Sequence, residues 1–443
     1  MERAIRHGMK SMVFLVLCLL SGNLLYGQAP YTLGECIQQA LHANVDIKRQ
    51  QVKLDKQAIR VETEKYSRLP DLNLNGTQQF DFGRSLNRDN TYTDVNSQTS
   101  SFSLTTEVGL FSGFKTMHSI ARQKLELKIN RELLEKVRND ITLQVTICYY
   151  QILLDKEIAA IADEQIILTR EQEEMTRVLA THGKVAESQV LTVKAQLVND
   201  ELASVKAANT LRLSMINLLQ LLELRDTAGF DIVPVALDTL MPLAVSPDEI
   251  FAVSEQIMPE IKSARTAVES SQSAIRIAKA GYYPSLALAA KISSGYYHNN
   301  DNNPPLDIQF KNNMQQTVYL TLRIPLFNRM TTRNAVRTAQ KEREDSRLAA
   351  DNALKTLYKE IQKTWYDALS AHERYESTRH SVAANSEALR YAKEKYQAGK
   401  STVYEYNEAK MKLANSRSEQ AQARYEFALR KKILDFYADQ SIR

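Results

Sequence analysis

Neither glycine nor proline occurs between Phe114 and Thr181, or between Arg329 and Ala398. The 13 Gly and 10 Pro all lie elsewhere, and a glycine closes each stretch, Gly183 after His182 and Gly399 after Ala398. At about 1.5 Å per residue an unbroken helix of either length is roughly 100 Å long, against a mean globular helix of about 11 to 12 residues. That excludes a chain made only of ordinary compact cores. Cysteine is scarce as well: of three, Cys18 falls in the N-terminal apolar segment and only Cys36 and Cys148 lie beyond it. Neither has a His or Cys partner at metal-ligand spacing and there is no short disulfide framework, so two free, buried thiols are expected, with a single disulfide between them as the alternative.

The first residues read as a secretory signal over 1–27. Arg3, Arg6 and Lys10 precede the apolar Met12 to Leu20, and Ser21-Gly22 and Gly27 supply the small residues of a cleavage region. The apolar segment is too short to span a bilayer as a helix. Leu17 before Cys18 departs from a lipoprotein signal, so ordinary cleavage before Gln28 is expected. Two of the five net positive charges belong to this segment. The remainder points to no nucleic-acid partner.

With Gly and Pro as punctuation, a helical run from Glu35 to Leu69 ends at Pro70. Strands follow over 72–82 and 101–110. In the second, Phe102, Leu104, Thr106, Val108 and Leu110 alternate with Ser101, Ser103, Thr105, Glu107 and Gly109, giving one apolar face. A polar loop, Gly83 to Ser100, joins them. The long helix 114–181 carries Leu134, Val137, Ile141, Val145, Cys148 and Ile152 at the three-and-four spacing of a coiled-coil seam. A tip turn at Gly183 leads to a helix over 186–224, then a linker over 227–247.

The pattern then starts again. Ile47-Lys48 and Ile261-Lys262 are 214 apart, as are Leu69-Pro70-Asp71-Leu72 and Tyr283-Pro284-Ser285-Leu286. Leu110-Phe111 and Leu326-Phe327, Tyr149-Tyr150 and Trp365-Tyr366, and Gly183-Lys184 and Gly399-Lys400 are each 216 apart. The chain therefore reads as two tandem repeats, 28–226 and 248–443, each running helix, strand, loop, strand, long helix, turn, helix. The second contains strands 285–297 and 317–326, a long helix over 329–397, a tip turn at Gly399 and a helix over 401–437. Its loop, His298 to Gln316, is polar and rich in Asn.

Strands of this length with one apolar face fit a membrane-spanning barrel. An open sheet in lipid leaves edge groups unpaired at several kcal/mol each, and four strands per chain cannot close. Three chains give 12 strands. Tyr283, Tyr296, Tyr297, Phe80 and Phe82 would form the aromatic girdle.

The duplicated order, the two Pro-led strand entries, Pro325-Leu326-Phe327 and the Gly183 and Gly399 turns resemble the TolC family of outer-membrane efflux proteins over nearly the whole mature chain. The resemblance implies an α+β membrane protein. It would be a homotrimer whose 12-stranded barrel sits in outer-membrane lipid and continues as an α-helical coiled-coil barrel across the periplasm. It implies tips, Gly183, Lys184, Gly399 and Lys400, that dock to a periplasmic adaptor and an inner-membrane pump driven by protons or ATP. It also makes Glu405 and Glu408 pore-facing carboxylate rings. In the family an acidic residue at the first tip reaches an Arg and a Tyr at the second. Here those positions hold Gln189, Ser401 and Tyr396, which leaves neutral hydrogen bonds from Tyr396 to Gln189 or Ser188, and a looser gate assisted by Lys184 or Lys400.

Gly399-Lys400-Ser401 lacks the upstream glycine and strand of a phosphate loop, since Glu394 stands where glycine is needed. His372-Glu373 has Glu376 where a zinc-protease helix needs its second His, so a solvated face is expected there. Trp365 reads as core packing. No catalytic constellation and no cofactor motif emerges. A channel is expected, and a periplasmic coiled-coil scaffold is the alternative.

Overall fold

The computed structural model describes residues 30–86, 90–94, 96–225, 229–235, 245–299 and 304–439. The signal segment and most of the linker lie outside the described residues. The chain divides into two compact units, one of residues 1–45, 139–247 and 362–443, the other of residues 46–138 and 248–361.

The second unit holds the main sheet. Helix α2 (Val45–Tyr66) leads to β1 (Asn73–Asp81), a short hairpin of β2 (Arg84–Leu86) and β3 (Tyr92–Asp94), and β4 (Ser97–Ser112). Helix α6 (Pro259–Lys279) leads to β5 (Ser285–Asn299), a helix α7 (Leu306–Asn312) and β6 (Gln315–Arg323). The order is β1-β4-β5-β6, all antiparallel, so β1 and β6 are the edges. Register aligns Leu74 with Leu104 and Ile292, and Val108 with Leu288 and Leu320. Asn73, Thr105 and Lys291 line up on the other face. One face is therefore apolar and the other polar, because side chains alternate across a strand.

The expected alternation fails at Leu110. A bulge between Gly109 and Phe111 leaves it unpaired, and Phe111 takes the place opposite Leu286. Strand β4 starts at Ser97, earlier than the alternation suggested, and the loop expected as purely polar up to Gln316 contains α7. Strand β6 stops at Arg323, short of Leu326, because Pro325 has no N–H for a ladder.

The initial helical run is two helices, α1 (Leu33–Ala43) in the first unit and α2, broken at Asn44, whose side-chain amide donates to the Leu221 carbonyl at 3.2 Å. Thr32 and Glu35 close a capping box on α1. In the second half, α5 (Pro247–Ile257) precedes α6, which Pro259 opens. The long helices are α3 (Lys115–Thr181) and α8 (Thr331–Gln397), 67 residues each, with partners α4 (Glu187–Leu222) and α9 (Val403–Asp439). Of the expected seam, Leu134, Ile141, Val145 and Ile152 are buried, while Val137 and Cys148 are half-buried. Cys36 and Cys148 are free, and burial pushes the Cys36 thiol up to about 12.

Candidate functional site

Both tips are built the same way. Gly183 (φ +72°) and Gly399 (φ +69°) occupy the left-handed region that glycine adopts without a steric penalty. Behind Gly183, the N–H of Lys184 donates to Leu179 and that of Gly183 to Ala180, both at 2.9 Å. Behind Gly399, Lys400 donates to Lys395 at 2.9 Å and Gly399 to Tyr396 at 3.0 Å. These paired bonds end each long helix by satisfying carbonyls that would otherwise be orphaned. Thr402 then accepts from the Glu405 N–H at 3.2 Å and starts α9.

Behind the turns, Leu179 of α3, Val193 of α4, Tyr396 of α8 and Val403 and Tyr406 of α9 form one apolar cluster. The Tyr396 and Tyr406 rings stack with centroids 5.5 Å apart. Tyr396 is fully buried, and its hydroxyl lies 2.7 Å from that of Thr176. Thr176 donates its own proton to the Gln172 carbonyl at 2.7 Å, so Tyr396 is the donor. Burial holds both tyrosine hydroxyls above the usual phenol range. The structure thus joins Tyr396 to α3, and within one chain not to Gln189 or Ser188. The Gln189 side-chain carbonyl is shielded without a partner, as are the Tyr406 hydroxyl and both ends of the Gln172 amide.

A polar file continues along the α3 seam. At heptad steps from Ile141 the seam positions are Cys148, Asp155, Ala162, Thr169 and Thr176. Asp155 accepts from Gln151 at 2.9 Å and from Ser214 of α4. Thr169 donates to Asp200 of α4 at 2.5 Å and accepts from the Lys410 ammonium of α9 at 2.7 Å. Lys410 is 2% exposed, and burial pulls its ammonium down to about 8 although Asp200 opposes the shift. Two heptad-spaced ion pairs bind α9 to α3, Glu157 with Arg424, and Glu164 with Arg417 at 2.5 Å. The next acidic residue of that series, Glu171, pairs instead with Lys393 of α8 at 2.9 Å. Thr169, Thr176, Glu171, Lys393 and Lys410 were missed in the sequence because the seam was followed only to Ile152, where it is still apolar. The signal was the same heptad carried about seven turns further, to Thr176.

Glu405 accepts from the Ser401 hydroxyl at 2.6 Å, and Glu408 pairs with Lys412 at 2.8 Å. Both carboxylates are exposed on α9, as are Lys184 and Lys400 at the turns. Gly399-Lys400-Ser401 is a helix terminus with no strand upstream. His372 departs from the expected solvated face: its ring lies 5.0 Å from that of Phe427 with Nδ1 shielded. Trp365 is half-buried, and its indole N–H donates to the Val245 carbonyl at 3.1 Å. Among the described residues no group of three or more His, Cys, Asp or Glu converges as metal ligands.

The family model described as outer membrane efflux protein matches residues 36–223 and 254–435. A relative from Dickeya chrysanthemi, the proteases secretion protein PrtF, is 23% identical over 295 residues, 65% of this chain. The match spans 61% of that relative's length. Among solved structures the fold is similar to that of CusC, with a TM-score of 0.77 and 16% identity over 94% of this chain and 95% of that one. It is also similar to the outer membrane protein VceC from Vibrio cholerae, with a TM-score of 0.74 and 17% identity over 92% and 95%.

Proposed function

Because the chain belongs to the outer membrane efflux protein family, we propose that it is the exit duct of a tripartite efflux or type I secretion system. Its location is the outer membrane, with the helical part in the periplasm, and its family and fold are those of transport channels. The observation that carries the proposal is the open sheet. Among the described residues edges β1 and β6 have no further partner, and Leu74, Leu104, Ile292, Val318, Leu320 and Leu322 are exposed on one face. Lipid covers such a face, while an unpaired edge inside lipid costs several kcal/mol per group. Pairing β6 of one copy with β1 of the next removes every edge, and three copies give a 12-stranded barrel with a lumen.

In this reading the chain is two tandem copies of one unit, and the helices of three chains close a coiled-coil barrel. The tips at Gly183, Lys184, Gly399 and Lys400 meet a periplasmic adaptor, and an inner-membrane pump supplies the driving force. The duct itself is passive. The bond from Tyr396 to Thr176 and the pair of Lys393 with Glu171 hold α8 on α3 and support a closed entrance without an acid–Arg latch. Glu405 and Glu408 form threefold carboxylate rings there that favour cations. Gln189 and Ser401 line the same entrance. Protein secretion is one cargo class, on the name of the Dickeya chrysanthemi relative.

The test is fractionation followed by conductance. A trimer that shifts mobility on heating, recovered from outer membranes and conducting in planar bilayers, is expected. Recovery as a monomer in the soluble fraction would overturn the proposal in favour of a periplasmic scaffold.

A further inference from the structure

Helix α7 lies against the apolar face of the sheet. Its Phe310 ring sits 5.6 Å from that of Phe102, and the Ser294 hydroxyl donates to the Phe310 carbonyl at 2.6 Å. Phe102 and Ser294 are paired in register and share the face of Leu104 and Ile292. The location is the end of the sheet away from the helices, because Ser112, next to the start of α3, pairs with Ser285 at the opposite end of β5.

The helix is also stitched to the strand. Strand β6 pairs with β5 only as far as Ser293, so among the described residues the β6-side edge of β5 from Ser294 onward has no strand beside it. Gln309, buried, takes that place: its amide oxygen accepts from the Tyr297 N–H at 3.0 Å and its amide nitrogen donates to the Tyr297 carbonyl at 2.9 Å. The same nitrogen donates to Pro304 at 2.8 Å, and Asn313 donates to the Gly295 carbonyl at 2.8 Å. The backbone groups of an otherwise open edge are thereby satisfied by side chains.

Having covered the strand edge, α7 exposes new apolar surface. Leu306 is 57% exposed, Ile308 45% and Met314, just before β6, 59%. Burying a strand edge does not require these residues to be apolar. Leu306 and Phe310, four apart, share one side of the helix, and Asp307 and Lys311, also four apart, share another, as on a helix at a lipid–water boundary. Tyr296 and Phe80, which is level with His298 two residues further out, belong to the same face, where aromatic side chains mark the membrane interface.

We infer that α7 is an interfacial anchor, seated at the boundary of acyl chains and headgroups in the outer leaflet and contacting lipid through Leu306, Ile308 and Met314. The inference rests on the reading that the sheet's apolar face meets lipid. It adds that the second strand-connecting loop does not stand wholly in water but lies back over the rim of that face.

The test uses the full chain reconstituted in phosphatidylcholine vesicles with acyl chains brominated near the carbonyl end, against unbrominated vesicles. Ile308→Trp and Leu306→Trp report on α7, Leu320→Trp reports on the sheet face, and wild-type emission from Trp365 is subtracted. The expected result is that bromine quenches the α7 tryptophans by the same fraction as Leu320→Trp, with little further loss to aqueous iodide. Quenching of Leu320→Trp with none at 306 and 308 would overturn the anchor and leave the membrane sheet standing. Strong iodide quenching at 306 and 308 would place α7 in water, and protection from both quenchers would place it under a second copy of the chain; either sinks the inference. No bromine quenching at any of the three positions would remove both the anchor and the reading beneath it.

Discussion

The Tyr396 hydroxyl donates to the Thr176 hydroxyl at 2.7 Å inside a core that water does not reach. It joins α8 to α3 directly behind the tips. Removing that hydroxyl with Tyr396→Phe costs about 0.5 to 1.5 kcal/mol. On a closed-to-open equilibrium this is about a two- to twelvefold gain of the open form. In the trimeric duct proposed above, single-channel recordings are expected to show that gain, and Thr176→Val to give little more when added to Tyr396→Phe. Unchanged conductance in Tyr396→Phe would remove this bond from the gate.

Lys410 is the buried charge of the tip, with its ammonium on the neutral hydroxyl of Thr169. Because burial lowers its folded value to about 8 from 10.5 in the unfolded chain, the folded state binds fewer protons between those limits. Stability is therefore expected to rise as pH increases through that window, and the full cost is present below about pH 8. Lys410→Met removes the charge and keeps the volume. It should stabilise the protein at pH 7, by about 1 to 3 kcal/mol, and flatten the pH dependence of thermal unfolding between pH 8 and 10.5. A variant less stable than wild type at pH 7 would show that the bond to Thr169 outweighs the desolvation.

At the junction of sheet and long helix, two consecutive left-handed residues occur in each half, Gly113 with Phe114 and Arg329 with Met330. A Cβ on Gly113 would sit 2.7 Å from the Ala280 carbonyl oxygen and 2.8 Å from Tyr283 Cβ, both inside contact distance. Gly113→Ala is expected to lose about 2 kcal/mol or more through combined strain and clash. Arg329→Gly should relieve left-handed strain and gain up to about 1 kcal/mol. Thermal loss of helical circular dichroism in detergent would compare the two, and equal midpoints would refute the contrast.

Tyr149 and Trp365, 216 residues apart, each reach the chain segment around the linker. The Tyr149 hydroxyl lies 2.6 Å from the Val233 carbonyl and 3.2 Å from that of Tyr31, beside the parallel bridge of Tyr31 with Ile232. Tyr149→Phe removes the donor to the half-buried Val233 carbonyl from a fully buried ring position and is expected to cost about 1 to 3 kcal/mol. Trp365→Phe removes one bond at a half-buried site and should cost less. Limited tryptic cleavage after Arg225 should accelerate more in Tyr149→Phe than in Trp365→Phe; the reverse order would separate the linker from Tyr149.

The long helices were legible because a stretch free of Gly and Pro with apolar residues at three-and-four spacing has few other ways to bury its stripe. The two glycine turns were legible because a reversal between helices needs positive φ. The break at Asn44 was not, since it depends on the Leu221 carbonyl, which sequence places 177 positions away. The partner of Tyr396 was misplaced for a similar reason. A tyrosine in a seam declares that it will be buried, but which facing helix supplies the acceptor depends on how α3 and α8 pack.

Residue order alone therefore determined the periodic elements, their punctuation, the alternating faces of the strands and the mismatch between four strands and a closed barrel. These follow from neighbours one to seven positions apart, where backbone geometry fixes direction. Only the tertiary structure decided that Leu110 is the bulge, that Gln309 completes the β5 edge and that Glu171 leaves Lys410 for Lys393. Each of these is a choice among partners that chemistry leaves nearly equal, and distance in the packed fold, which local spacing does not encode, makes the selection.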